Sequence, residues 1–335
     1  MKPRYKLLDW IPLNRINWMW LSRNPNAIDL LEQNIDKINW RRLSQNENAI
    51  HILEKYPEKI NWKYLCMNEN AIHLLKNNLN KLYWHNWERL SENNNAICIL
   101  EQNLDKIIWG PLCFNENAIE LLEKNQDKID WQKLSDNKKA IELLEKNQDK
   151  IDWQVLSRNQ NAIHLLKKNP DKIDWNYLTE NLNPEIISML EPMLENDPDD
   201  VDWYYLCENP NAISYLEKMP DKLMWFAVAE NPNAIHLLEQ NIDKLDIDID
   251  WWNVSMNPNA VHILEKNQKR IAWKWFSENP NIFELDKPAM KKQMQPLAEE
   301  LAAIVFHPNR VMRILNKYKY NILSDEYWFD CDFKI

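Results

Sequence analysis

Five of the seven histidines occupy one position of a repeating pattern, directly after a branched aliphatic residue: His51, His73, His164, His236 and His262. Imidazoles at regular spacing could bind a metal ion or relay protons. Metal sites usually need three or four converging ligands, and no more than two of these histidines ever come from consecutive repeats. Elsewhere the same position holds Asp29, Cys98, Glu120, Glu142 or Ser214. We interpret it as a partly exposed polar position and predict no metal site.

Acidic residues recur in two columns that could supply paired carboxylates for glycoside hydrolysis. One column lies directly before a repeated Trp, and in the other each Asp is followed by Lys: Asp36, Asp105, Asp127, Asp149, Asp171, Asp221 and Asp243. Helix capping explains the first column, and the second is explained by charges that are solvated at the surface. The single glycine, Gly110, excludes glycine-rich phosphate loops and dinucleotide-binding fingerprints. We predict a non-enzymatic protein with no catalytic residue and no cofactor.

A column of lysines could form a basic stripe for the phosphates of RNA: Lys37, Lys59, Lys81, Lys106, Lys128, Lys150, Lys172, Lys222 and Lys244. Helical repeats can read RNA one base per unit, using aromatic or polar residues that vary between repeats. Such aromatic residues are Tyr64, Tyr177, Tyr204, Trp252 and Trp275. The flanking Asp residues and a net charge of −10 oppose nucleic-acid binding, so RNA remains an alternative.

All of these positions belong to a tandem repeat of 22 residues. The triplet Asn-Ala-Ile alternates along the chain with Asp-Lys-Ile-Asp-Trp-x-x-Leu-Ser, with insertions near residues 84, 192 and 247. The Trp of the second signature occurs twelve times: Trp18, Trp40, Trp62, Trp87, Trp109, Trp131, Trp153, Trp175, Trp203, Trp225, Trp251 and Trp273. A unit this short must share its core with its neighbours, which indicates a solenoid.

Each repeat is predicted to form two helices. The longer one would begin at Asn24-Pro25, with Asn as the N-cap, and would end at Asn34 in the left-handed conformation. The shorter one would begin at the repeated Trp, capped by the residue before it: Asn17, Asn39, Asn61, Asn86, Asp130, Asp152, Asp174, Asp202 and Asp250. A Ser, Cys, Thr or Ala follows its Leu, which we interpret as a steric demand for small side chains.

The predicted fold is all-α, a superhelical α-solenoid of about twelve two-helix repeats with terminal caps. Residues 1–17 would form an N-terminal cap, residues 18–283 the solenoid, and residues 284–335 a C-terminal helical cap and tail. Stacked helices would give an elongated or curved body on the order of 100 Å long. We expect the twelve indoles to be buried between the repeats and to form much of the core.

The acidic, aromatic tail Asp325–Ile335 is interpreted as a cap over the last repeat, with a docking peptide for another subunit as the alternative. Five cysteines without metal-ligand spacing favour a reducing compartment. Cys66, Cys113 and Cys207, in the small-residue column, are predicted to fill the core. No secretion signal or membrane-spanning segment is predicted.

The signatures NPNAIHLLE and DKIDWxxLS, over roughly residues 10–285, resemble a family of Trp- and Asn-rich tandem-repeat proteins from large and giant DNA viruses. That family has no agreed catalytic residues, so the resemblance transfers none. It implies a viral protein in the cytoplasm of an infected eukaryotic cell, with a place in the virion as a further expectation.

The long regular surface and the variable residues at fixed points favour a non-enzymatic scaffold that binds a viral or host protein. RNA binding is the first alternative, and an enzyme with its site in residues 284–335 is the second. Nucleic acid and membrane are not expected partners. The sequence identifies neither the partner protein nor the oligomeric state.

Overall fold

The computed structural model describes residues 3–196, 198–245 and 248–317, without the side chains of residues 200, 308 and 316. Within these ranges the fold is an α-solenoid of regularly repeated helices, which confirms the predicted fold class. The only strands found there are Tyr5–Leu7 and Phe283–Leu285, which pair in a two-stranded sheet. The tail Asp325–Ile335, with Cys331, lies outside the described residues.

Two series of short helices alternate along the chain. The Trp helices are Trp18–Leu21, Trp40–Leu43, Trp62–Leu65, Trp84–Glu92, Trp109–Leu112, Trp131–Ser135, Trp153–Ser157, Trp175–Thr179, Trp203–Glu208, Trp225–Val228, Asp248–Met256 and Trp273–Phe276. The Ile helices are Ile28–Glu32, Ile50–Lys55, Ile72–Lys76, Ile97–Leu100, Ile119–Glu123, Ile141–Glu145, Ile163–Lys168, Ile186–Asn196, Ile213–Lys218, Ile235–Gln240 and Val261–Lys266. Short 3₁₀ turns, such as Ile35–Lys37, lead from most Ile helices to the next Trp helix.

The Trp helices begin at their predicted caps in most repeats. Asn39, for example, accepts a hydrogen bond from the backbone N–H of Arg42 at 3.0 Å. The same capping occurs at Asn17, Asn61, Asp130, Asp152, Asp174 and Asp202. The prediction is wrong for Asn86 and Asp250, because the neighbouring insertions lengthen the helices to Trp84–Glu92 and Asp248–Met256 and place both residues inside them.

The Ile helices begin and end differently from the prediction. The first starts at Ile28, and Asn24 instead closes the preceding turn by accepting from the backbone N–H of Asn26 at 2.9 Å. Asn34 is not left-handed, since its φ is −136°. Its side-chain amide donates to the carbonyl oxygen of Leu30 at 2.9 Å, so a side-chain hydrogen bond satisfies a free helix carbonyl. This explains how a chain with one glycine ends so many helices.

A ladder of buried asparagines joins each repeat to the one before it. Asn46 donates both amide hydrogens to the carbonyl oxygens of Ser22 and Asn24, and its own oxygen accepts from the N–H of Asn48. All twelve rungs have this pattern, with donor distances of 2.7–3.3 Å: Asn24, Asn46, Asn68, Asn93, Asn115, Asn137, Asn159, Asn181, Asn209, Asn231, Asn257 and Asn279. Of the side chains of this size, only the Asn amide supplies two donors and one acceptor.

The ladder closes on itself. Asn24, in the first repeat, donates to the carbonyl oxygens of Ser277 and Asn279 in the last repeat. The backbone N–H of Asn17 likewise bonds the hydroxyl of Ser277 at 2.8 Å. The unit Lys6–Glu284 is therefore a closed ring of twelve repeats. The sequence predicts an elongated or curved body, but not that its two ends meet. Each end covers the other, so the first repeat needs no separate cap.

The two helix series lie at different radii of this ring. Several neighbouring Trp helices pack directly on one another, whereas neighbouring Ile helices are further apart. The more closely spaced elements of a closed ring lie nearer its centre, so the Trp helices form the inner layer. The core lies between the layers and includes fully buried side chains such as Leu31, Leu43 and Leu53.

The twelve repeat indoles are less buried than predicted. Only Trp87, Trp203 and Trp251 are buried, and the other nine are half-buried. Leucines and alanines of both helix series therefore form the fully enclosed core. The indoles lie at its edge, where one face of the ring remains available for other contacts.

A second unit contains residues 3–5 and 285–317. It includes the helices Lys287–Val305 and Pro308–Lys317, within the segment for which the sequence predicts helices. Pro296 lies within the first of these helices. In the described part of the chain, none of the helices combines the length and hydrophobicity that a bilayer span needs.

Candidate interaction surface

Seven of the nine lysines in the column that could have bound phosphates cover tryptophans, whereas Lys222 pairs with Asp199 and Lys59 has no such contact with a described residue. Lys128, for example, places its amine 4.5 Å from the ring centroid of Trp109 in the preceding repeat. Equivalent contacts at 4.5–5.3 Å involve Lys37, Lys81, Lys106, Lys150, Lys172 and Lys244. Arg15 takes the same position over Trp273 across the ring closure, at 6.0 Å. These cation–π contacts explain the pairing of Lys with Trp in the repeat.

Each histidine of the column contacts one glutamate of the preceding repeat. His51 Nε2 lies 2.9 Å from Glu32 Oε1, and the other four pairs have distances of 2.8–2.9 Å: His73 with Glu54, His164 with Glu145, His236 with Glu217 and His262 with Glu239. The sequence interpretation missed these partners. Within the described ranges, no group of three or more His, Cys, Asp or Glu side chains could hold a metal ion.

The small-residue column has a hydrogen-bonding role as well as a steric one. Ser44 donates to the carbonyl oxygen of Trp40 and accepts from the backbone N–H of Asn61 in the next repeat. The prediction that this position requires only a small side chain was therefore incomplete. Cys66, Cys113 and Cys207 are buried, as predicted, and burial raises the pKa of the Cys66 thiol to about 12 and that of Cys207 to about 11. They are poor nucleophiles at neutral pH.

The two residues after each repeat Trp differ from repeat to repeat, and all of them are at least partly exposed except Ala227, which is buried. We call these twelve pairs the inner face, because they lie on the Trp helices. Their first members are exposed in nine repeats: Met19, Arg41, Lys63, Glu88, Gln132, Gln154, Asn176, Trp252 and Lys274. The repeated Asn, Trp, Lys and Ser residues hold the ring together, whereas the variable pairs are presented outside the core.

Positive charge is concentrated in one part of the inner face. Arg41, Arg42, Lys63 and Lys274 come from the second, third and twelfth repeats, which flank the first across the closure. Arg42 lies 4.4 Å from the ring centroid of Trp20, and Lys274 lies 4.5 Å from that of Trp275. The Trp20 and Trp275 rings themselves are 4.6 Å apart. The first and last repeats thus form one continuous surface.

Glutamates and tyrosines occupy another part of the ring. Glu180, Glu208 and Glu230 each follow the small residue of their repeats. Partial desolvation of the otherwise exposed Glu230 raises its pKa, and the nearby charge of Glu208 raises it further. Burial also raises the pKa of Glu180, which Arg158 partly opposes from 3.7 Å. The hydroxyl of Tyr204 donates to Glu208, which raises the pKa of that phenol.

An open pocket of about 610 Å³ lies beside the closure, lined in part by Asp9, His262 and Glu284. Most of its titratable groups are already paired. Lys6 contacts the carboxylates of Asp9 and Glu284 at 3.2 and 3.0 Å, and His262 pairs with Glu239. The arrangement gives no nucleophile activated by a base.

The structure separates the sequence-predicted residues by role. The twelve tryptophans, seven of the nine column lysines and the caps belong to the joints between repeats. The second set of aspartates is exposed at 3₁₀ turns, as predicted. The variable aromatic residues Tyr64, Tyr177, Tyr204, Trp252 and Trp275 all lie on the inner face.

No known protein family matches the chain, and neither curated proteins nor solved structures show significant similarity to it.

Proposed function

We propose that the protein is a non-enzymatic ring scaffold that binds another protein through the inner face. The observation that carries this proposal is the division of the repeat into structural and variable positions. The positions that recur in the repeats are engaged in ladder bonds, cation–π contacts and core packing. The two positions that vary are presented outside the core, where recognition requires them.

The composition of the inner face supports a protein partner. It includes Trp20, Trp252, Trp275, Tyr64, Tyr177, Tyr204, Tyr205, Arg41, Arg42 and Arg89. Trp, Tyr and Arg are the residues that most often dominate binding energy at protein interfaces. A ring also limits access to its inner face, so the bound part of the partner is an extended segment or a terminus. A viral origin, the cytoplasm of an infected cell and a place in the virion belong to this proposal and rest on the repeat signatures alone.

RNA binding has less support than protein binding. Seven of the nine lysines that suggested it are engaged with the Trp rings, and the glutamate-rich part of the ring would repel phosphates. The net charge of −10 acts in the same direction. RNA is therefore an outcome that the test must be able to detect.

The experiment is affinity capture from infected-cell lysate with the tagged full-length chain, followed by mass spectrometry. The inner-face variant carries Met19→Ser and Trp252→Ser, at positions that are 41% and 45% exposed. The control variant carries Leu104→Ser and Leu182→Ser, which are 50% and 49% exposed and lie outside the Trp helices. Circular dichroism and thermal unfolding confirm that both variants fold.

We expect a protein that the wild-type chain and the control capture, and that the inner-face variant captures at least about tenfold less, as for loss of a hot spot. Equal capture by all three chains would reject the inner face as the binding site. Capture that nuclease treatment abolishes would favour the RNA alternative instead.

A further inference from the structure

The positive part of the inner face has no acidic counterpart. Arg41, Arg42, Lys63 and Lys274, which we call the cationic sector, form no ion pair with any residue that the structure describes. Other cations near the ladder are paired, such as Arg23 with Glu278 at 2.7 Å. Four unpaired positive charges in neighbouring repeats of an acidic protein repel one another, and an anionic partner would remove this repulsion.

Aromatic rings hold three of the cations in place. Arg41 lies 4.4 Å from the ring centroid of Tyr64 and also bonds its hydroxyl. Arg42 packs on Trp20, and Lys274 packs on both Trp20 and Trp275. A cation packed on a ring loses less side-chain entropy on binding than a free one. The sector is thus preorganised for a ligand that is recognised by charge.

The same contacts indicate whether the ligand of the cationic sector is a carboxylate-bearing protein segment or a nucleic acid. Single-stranded nucleic acids bind by stacking their bases on open aromatic rings as well as by phosphate contacts. Here the rings of Trp20, Trp275 and Tyr64 are each already packed against a cation. The geometry therefore favours a protein segment that presents carboxylates to the Arg and Lys groups.

We propose that the cationic sector binds an extended acidic segment of a partner protein. Packed helices are roughly 8–10 Å apart, and an extended chain in the polyproline II conformation advances about 3.1 Å per residue with three residues per turn, so that every third side chain lies on one side. Acidic residues at every third position therefore match the spacing of the repeats. This inference rests on the proposed function and specifies the chemistry of the partner.

Fluorescence anisotropy of labelled peptides with the full-length chain tests the proposal. The probe is a dodecapeptide of four Glu-Ser-Ser units, and the matched controls are four Gln-Ser-Ser units and a peptide with its four Glu residues in one block. A labelled oligouridine of twelve nucleotides tests the nucleic-acid alternative. Because the contacts are exposed, the measurements use low salt and one repetition at physiological salt.

The spaced Glu peptide is expected to bind more tightly than either control peptide and more tightly than oligouridine. Arg41→Gln together with Lys63→Gln should weaken its binding by about three- to tenfold, as for the loss of two exposed charge contacts. The matched variant with Lys76→Gln and Lys266→Gln, on exposed positions of the Ile helices, should stay within about twofold of the wild type.

Equal binding of the Glu and Gln peptides, or tighter binding of oligouridine, would overturn the inference. Equal weakening by both double variants would do the same, because it would reveal a general charge effect. If the peptides fail while the Met19→Ser and Trp252→Ser variant still loses its captured protein, only the acidic chemistry is rejected and the scaffold function stands.

Discussion

The side-chain amide of Asn24 donates to the carbonyl oxygen of Asn279, 255 positions along the chain, at 2.8 Å. This bond has the same geometry as the rungs between neighbouring repeats, such as that of Asn46 to Asn24 at 2.9 Å. The first and last repeats are therefore joined by the same joint that connects all the others. The closure is a property of the repeat itself and needs no special locking segment.

A substitution at the closure should cost as much stability as one in the middle of the chain. Asn24→Asp and Asn159→Asp each remove two buried donors and place a charge beside two carbonyl oxygens. We expect each to lower the free energy of unfolding by about 2–5 kcal/mol. Urea denaturation followed by far-UV circular dichroism measures both. A nearly silent Asn24→Asp beside a damaging Asn159→Asp would show that the ring is open in solution.

The lysines over the Trp rings should contribute measurable stability. The triple variant Lys128→Gln, Lys150→Gln and Lys172→Gln removes three contacts of 4.5–4.7 Å. At about 0.5–1 kcal/mol for each exposed cation–π contact, the expected loss is about 1.5–3 kcal/mol. The triple variant Lys76→Gln, Lys138→Gln and Lys266→Gln makes the same change in net charge away from the rings. Equal effects of the two triple variants on urea unfolding would reject a specific role for the contacts.

The cysteines should differ sharply in reactivity. Cys98 is exposed, whereas Cys66, Cys113 and Cys207 are buried and burial raises the pKa of each of these three thiols. In a Cys331→Ser background, one thiol per chain should react rapidly with Ellman's reagent at pH 8, and three more should react only after denaturation. Rapid reaction of more than one thiol in the native protein would contradict the buried positions.

Glu230 should make stability depend on pH. Its raised pKa means that the folded state holds the proton more tightly than the unfolded state, so the ionised carboxylate destabilises the fold. Glu230→Gln should therefore increase the free energy of unfolding at pH 7–8. The gain should shrink as the pH falls and vanish below the ordinary glutamate value of about 4.3. Chemical denaturation between pH 3.5 and 8 measures the profile, with Glu265→Gln as an exposed control. A gain that grew on acidification would have the wrong sign for this mechanism.

The sequence predicted the repeat and its helices because their signals are local. Leu43 after Trp40, with Asn39 before it, is enough to indicate a capped helix with one buried edge. The bonds between repeats were not predictable in this way. The amide of Asn46 could be assigned as a cap from its neighbours, but its two donors reach carbonyl oxygens of another repeat, and only the fold places them there.

We did not predict the closed ring from the sequence, because no single residue determines the curvature of the solenoid. It follows from the difference in spacing between the Trp helices and the Ile helices, which accumulates over twelve joints. The sequence does contain two signs of it. Arg15 occupies the lysine column before the first Trp helix, and Asn279-Pro280-Asn281 repeats the motif of Asn24-Pro25-Asn26 at the far end. Neither the first nor the last repeat is a polar capping repeat of the kind that an open solenoid needs.

A closed cycle of asparagine rungs also fixes the number of units. An open array can lengthen or shorten by whole modules during gene duplication, because its free ends move apart without penalty. Here the gain or loss of a single 22-residue module would oblige every remaining joint to change its angle or would break the join between Asn24 and Asn279. The geometry of the ring thus constrains the number of repeats. Substitutions are tolerated mainly at the two positions that follow each Trp.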